Sequence, residues 1–152
     1  MSYNTITIKG DPVRIERAAA AAITPGFLIE LTSADKFQAH STAGGSAATI
    51  FALEDENQGK EISDAYSTSN EVLAAIFRPG EEAYALLADG ENAAIGSKLE
   101  SNGNGYLRVV DTDASAGDIG VQSVVGIALE ALDMSGSSGA DPSSQRIRIL
   151  VI

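Results

Sequence analysis

Short apolar runs separated by turn-forming residues recur along almost the whole chain. The Pro-Gly, Gly-Gly, Asp-Gly and Asn-Gly pairs between the runs predict turns, because glycine accepts positive φ and proline presets the φ of a turn residue. Many short apolar runs separated by turn residues are typical of strands. The pattern therefore predicts an all-β domain, either a small β-barrel or a sandwich. The runs are YNTITI, FLIEL, KFQAH, ATIFAL, EVLAAIF, EAYALLA, GYLRVV, SVVGIALEAL and RIRILVI.

The last run has the clearest alternation. Ile147 and Ile149 face opposite to Arg146 and Arg148 if the segment is extended, because side chains alternate along a strand. The run then becomes wholly apolar, so we expect its end to be covered on both faces.

An alanine run at residues 18–22 is ambiguous, since alanine favours helices. Pro25 disfavours the helical region at Thr24, and a helix starting at Val13 would have a weak apolar face. We therefore favour an extended segment in which small side chains allow another surface to approach, with a short helix as the alternative. Residues 1–22 are then predicted to be an extended N-terminal arm, followed by a β-domain over residues 23–152.

Composition excludes several function classes. The net charge of −11 opposes binding to phosphate backbones, so direct nucleic-acid binding is not expected. The absence of cysteine excludes disulfides and thiolate chemistry. No apolar stretch reaches the roughly 20 residues of a membrane span, and we expect neither a membrane partner nor a signal peptide. With 5% aromatic residues and no tryptophan, the core is expected to consist mainly of Ala, Val, Ile and Leu.

Motifs for catalysis or cofactor binding are incomplete. His40 is the only histidine, so no pair of histidines has the spacing of metal ligands. The sequence also lacks the Gly-x-Ser-x-Gly turn of a serine hydrolase. We therefore expect the imidazole of His40 to lie at the surface or at a loop edge. Residues 111–122 begin like a calcium loop but have Ala116 and Gln122 where glycine and a bidentate carboxylate belong. The acidic cluster around Glu54 and Glu56 is interpreted as solvated loop charge. We predict no catalytic residue, cofactor or metal, while ion binding at 111–122 stays open.

Four stretches resemble the small head decoration, or cement, proteins of tailed bacteriophages. They are residues 18–45, 51–66, 81–107 and 124–149, and the similarity rests on turns and small strand residues. The resemblance implies a β-barrel or tulip-like domain that is not an enzyme. It also implies a structural virion protein that binds the outer surface of the capsid, bridges neighbouring major capsid proteins and stabilises the shell. Many such proteins form trimers, which we favour here, and others are dimers or monomers.

Two segments are the predicted contacts with the capsid or a sister subunit. The N-terminal arm is slightly basic on an acidic protein, and its β-branched residues suit addition to a sheet edge. The second segment is a Ser- and Gly-rich loop. The predicted contact residues are Thr5, Ile6, Thr7, Ile8, Lys9, Val13, Arg14, Ile15, Arg17, Ser135, Gly136, Ser137, Ser138, Gly139 and Asp141.

Two other function classes remain as alternatives. A module displayed on the particle could bind host surface glycans, although such sites usually present aromatic platforms and aromatic residues are scarce here. An oligomeric β-fold hydrolase acting on nucleotides would need a phosphate-gripping Arg-Ser segment beside an aspartate. The sequence ADPSSQR matches that pattern only loosely.

Overall fold

Short strands dominate the structure, a computed structural model that describes residues 3–110, 123–136, 141–142 and 144–152. The all-β fold class is confirmed, and a 3-10 turn lies at Glu56–Gln58. None of the described segments forms a helix that could span a membrane. The strands are β1 (Thr7–Lys9), β2 (Val13–Ala18), β3 (Ile29–Leu31), β4 (Phe37–Ala39), β5 (Ile50–Ala52), β6 (Glu71–Ile76), β7 (Glu82–Leu86), β8 (Asn92–Ala93), β9 (Lys98–Ser101), β10 (Leu107–Val109), β11 (Gly126–Ala128), β12 (Leu132–Asp133) and β13 (Arg146–Val151).

A six-stranded antiparallel sheet forms the larger part of the fold, in the order β1-β7-β13-β11-β9-β10. The predicted alternation of β13 is confirmed, because Ile147 and Ile149 are fully buried while Arg146 and Arg148 lie on the opposite face. The expectation for its apolar end is wrong, since Ile152 is 45% exposed. The main core therefore lies on the isoleucine side of this sheet.

The two ends of this sheet approach each other without closing. Leu87, just after β7, forms an isolated parallel bridge to Leu107 on β10, and the Ala88 N–H donates to the Leu107 carbonyl at 2.8 Å. The described residues contain no continuous closed barrel. The sheet thus curls around a core that also holds Phe51 and Phe77, whose rings meet edge to face at 5.6 Å.

A second, smaller core lies beside a three-stranded sheet in the order β2-β6-β5. The β3-β4 hairpin joins it through bridges from Leu28 to Phe51 and from Ala19 to Phe37. Phe37 is fully buried here. Because three of the four phenylalanines (37, 51 and 77) are buried, the core uses aromatic side chains more than the composition led us to expect.

The extended N-terminal arm over residues 1–22 is not confirmed. Strand β1 pairs with β7, and β2 pairs with β6 over its full length. Ile6 is fully buried in the main core, and its carbonyl accepts the Tyr84 N–H at 2.8 Å. The segment belongs to the sheets because its apolar residues find partners within the same chain.

The alanine run begins as strand and continues without a helix. β2 ends at Ala18, and the Ala19 N–H donates to the Asn70 carbonyl at 2.8 Å. Ala19 is fully buried beside Phe37, while residues 20–22 are exposed. The extended prediction is therefore confirmed at the start of the run, and the surface against which Ala19 packs is that of its own chain.

Candidate functional site

The first predicted contact segment, residues 5–9, is held by the acidic cluster. The Glu54 carboxylate accepts the Thr5 hydroxyl at 2.6 Å and the Ile6 N–H at 3.0 Å. Thr7 and Ile8 are half-buried, and Lys9 is exposed with its ammonium 3.7 Å from Glu82. Glu54 therefore fixes the chain entering β1. The interpretation of this acidic cluster as solvated charge is wrong for Glu54.

The other predicted contact residues of the N-terminal segment, Val13, Arg14, Ile15 and Arg17, lie on β2, which is an edge strand. Among the described residues no strand pairs with its outer edge over Val13–Ala18. Val13 is 60% exposed and lies opposite Ile76, which is 37% exposed, on neighbouring β6. Ile15 is half-buried against the smaller core. The edge thus presents a small apolar area together with strand backbone.

The two arginines of β2 already have partners within the chain. Arg14 contacts Glu56 at 2.8 Å, and this hydrogen bond raises the pKa of the Arg14 guanidinium. Arg17 contacts Asp35 at the same distance. Both pairs are exposed, so each contributes little to stability, but they balance the positive charge of the strand. The positive charges of Arg14 and Arg17, which contribute to the predicted basic character of residues 1–22, are therefore paired with carboxylates in the fold.

The loop that contains the remaining predicted contacts starts with an aspartate-centred turn. The Ser135 N–H donates to Asp133 at 2.9 Å, and the Ser135 hydroxyl donates to the same carboxylate. Both hydrogen bonds lower the pKa of Asp133, the bond from the hydroxyl more than the bond from the backbone. The Gly136 N–H donates to Asp141 at 2.8 Å. Ser137, Ser138 and Gly139 lie outside the described residues, as does the 111–122 loop.

His40 is buried, so the expectation of a surface imidazole is wrong, while its place at a loop edge is as expected. It is 2% exposed, just after β4. Its Nδ1 lies 2.7 Å from the Ser101 hydroxyl, and its Nε2 lies 3.1 Å from the Ser46 carbonyl and 3.7 Å from Glu30. Ser101 is fully buried. Through its two ring nitrogens, the imidazole connects β9 with the loop that contains Ser46.

Carboxylates elsewhere do not assemble a metal site within the part of the chain that the structure describes. No group of three or more Asp, Glu or His side chains in that part has a geometry that could hold a metal ion. A polar recess of about 110 Å³ is lined by the loop acids Asp55 and Asp64 with Lys60 and Tyr66. The buried Tyr66 hydroxyl donates to the Leu53 carbonyl at 2.7 Å, which gives it a structural role.

A cleft lined by tyrosines was missed by the sequence analysis. Tyr3, Tyr84 and Tyr106 line an open depression of about 440 Å³ on the outer face of β7 and β13. Tyr3 meets Tyr84 edge to face at 5.4 Å, and Tyr106 packs against Phe27 at 5.1 Å. The three tyrosines lie far apart in the chain, and Tyr84 is only 3% exposed on a strand that is buried almost throughout, so no local pattern signals such a site.

Comparisons with known proteins identify the fold. No protein-family model matches the chain, and no curated protein matches it. The structure is similar to the N base of the head fiber protein gp8.5 of bacteriophage phi29, with a TM-score of 0.57 and 11% sequence identity. The similarity covers 92% of this chain and 93% of that chain. At this identity the comparison establishes a shared fold across nearly the whole of both chains.

Proposed function

We propose that this protein is a structural component of a tailed-phage virion that binds the outer surface of the head and bridges neighbouring major capsid proteins. The observation that carries this proposal is the fold shared over 92% of the chain with a base domain of a phage head fiber. The same function was expected from the resemblance of four sequence stretches to head decoration proteins.

The outer edge of β2 is the surface we assign to the capsid. Its strand backbone over residues 13–17, before the bridge from Ala19 to Phe37, suits addition of an extended segment from another protein. Arg14 and Arg17 are paired with Glu56 and Asp35, so the apolar contact that the edge offers is the side chain of Val13, beside Ile76 on β6. The occupant we propose is a strand of the major capsid protein with apolar side chains facing Val13.

Bridging needs a second contact, which we assign to the loop at residues 135–141. Two weak contacts on different capsid proteins act together, because the second forms at a high effective concentration once the first has formed. Binding to the assembled shell alone then stabilises that shell by mass action. A trimer of this chain would multiply the effect, and we propose that state over a dimer.

Point substitutions on the β2 edge test the proposal better than removal of the N-terminal segment, since deleting residues 2–16 would also remove Ile6 from the core. We expect Val13→Glu to bind undecorated heads at least about tenfold more weakly, because a carboxylate replaces an apolar contact. Co-sedimentation of protein and heads measures the affinity.

Ile95→Glu is the matched control, because Ile95 is 73% exposed in a turn away from β2 and the change adds the same charge. It should bind like the unaltered protein. Equal binding by both variants would reject the β2 edge as the contact. Failure of the unaltered protein to bind heads would reject the function itself.

A further inference from the structure

The tyrosine cleft has a rigid floor and walls held in place by one arginine. Its floor is the outer face of β7 and β13, where Tyr84 and Arg146 lie. The Arg146 guanidinium donates to the Pro25 carbonyl at 2.8 Å and to the Ile62 carbonyl, and lies 6.0 Å above the Tyr84 ring. Burial lowers the pKa of Arg146. Two loops that border the cleft are therefore fastened to its floor.

A neighbouring depression of about 280 Å³ shares Tyr106 and Gln145 with the cleft. Asp89, Asn102 and Asn104 line this extension. The two adjoining depressions, together called the groove, place phenolic rings, amides and a carboxylate side by side. Volumes of this order match those of small-ligand sites.

We propose that this groove binds a neutral oligosaccharide. Tyrosine rings offer flat apolar surfaces to the C–H faces of pyranose rings, while amides and carboxylates pair with vicinal hydroxyls as both donors and acceptors. Tyr3 and Tyr106 are half-buried and so keep part of each ring open to a ligand. Three of the four tyrosines of the chain line this one groove, although aromatic residues are scarce overall.

Charge and topology argue against other ligands. Arg146 is the cation among the described lining residues, and two of its nitrogens already donate to backbone carbonyls, which disfavours an anionic ligand. The net charge of −11 and the nearby Asp89 oppose nucleic acid. A peptide cannot add as a strand to the floor, because β7 and β13 are each paired on both edges.

The test is binding of the full chain to an array that carries neutral, sialylated and sulfated glycans, followed by NMR titration with the strongest neutral oligosaccharide. We expect a neutral glycan to bind, and Tyr106→Ala to weaken that binding about tenfold or more through the loss of a stacking ring. Asn104→Ala should weaken it as well, since Asn104 is exposed in the groove.

Asn92→Ala is the control, because Asn92 is an exposed amide on β8 that lines neither depression. It should bind like the unaltered protein, and thermal unfolding shows whether each variant is folded. If Tyr106→Ala unfolds, the Asn104→Ala and Asn92→Ala pair decides the question alone. No glycan binding up to about 10 mM, preference for sialylated or sulfated glycans, or equal binding by Asn104→Ala and Asn92→Ala would overturn the proposal. The capsid assay is independent of this result.

Discussion

Glu81 carries a charge at a site that is only 7% exposed, and its hydrogen bonds explain how the fold tolerates this. The carboxylate accepts the Arg78 N–H at 2.6 Å and the Asp11 N–H at 2.7 Å. Burial raises the pKa of Glu81, but these bonds and the Arg78 guanidinium lower it further, so the net pKa lies below the ordinary 4.5. Glu81 thereby ties the turn before β2 to the turn before β7.

The lowered pKa gives a pH dependence of known sign. A carboxyl group with a folded-state pKa below its unfolded value stabilises the fold above that unfolded value, and this contribution is lost as pH falls through the folded-state pKa. Glu81→Gln should therefore lose less stability than the unaltered protein when pH falls below about 4.5. Denaturant unfolding at neutral and acidic pH measures the difference. Exposed Glu71→Gln is the control, and an acid response of Glu81→Gln like that of the unaltered protein would contradict the account.

Gly10 is required beside this carboxylate. Its φ is +107°, which side chains rarely adopt, and an added Cβ would overlap the Glu81 carboxylate. Gly80 has a similar φ of +95° but no atom near the position of an added Cβ. Backbone strain alone costs about 1–3 kcal/mol, so both Gly→Ala variants should be destabilised, and Gly10→Ala more than Gly80→Ala. Equal free energies of unfolding for the two variants would show that the contact with Glu81 has no effect.

At the scale of strands, local pattern predicts what a strand buries but not which strand it meets. The alternation of β13 follows directly from its residue order, and proline at position 25 correctly argues against a helix. The pairing of β2 with β6 joins segments separated by some fifty residues of chain, and nothing in either run specifies the partner. For this reason residues 1–22 looked like an arm.

The integration of the N-terminal segment can be tested at Ile6. Replacing a fully buried isoleucine by alanine removes apolar contacts and leaves a cavity, at a cost of about 2–5 kcal/mol. Ile6→Ala should therefore lower the free energy of unfolding by that amount. Ile95→Ala, at a 73% exposed site, should change it by less than about 0.5 kcal/mol. Similar values for both variants would mean that residues before β1 are not part of the core.

At the scale of the whole molecule, the fold class could be predicted from the sequence. The geometry of the candidate site could not. Turn pairs between short apolar runs indicate an all-β domain, because each run is too short for a typical helix. The tyrosine groove, by contrast, draws Tyr3, Tyr84 and Tyr106 from three distant segments, and the polar partners of buried His40 come from two others. Such sites depend on how distant segments come together in the fold, and composition does not indicate this.

The proposed function requires the protein to lie on the outer surface of a phage head. Phage heads that lack this protein can be incubated with it and imaged by electron cryomicroscopy. We predict density for a β-domain on the outer face of the shell, between neighbouring capsid proteins, with the Val13–Ala18 edge against one of them. Density inside the head, density in the tail, or bare heads after incubation would contradict the proposed function.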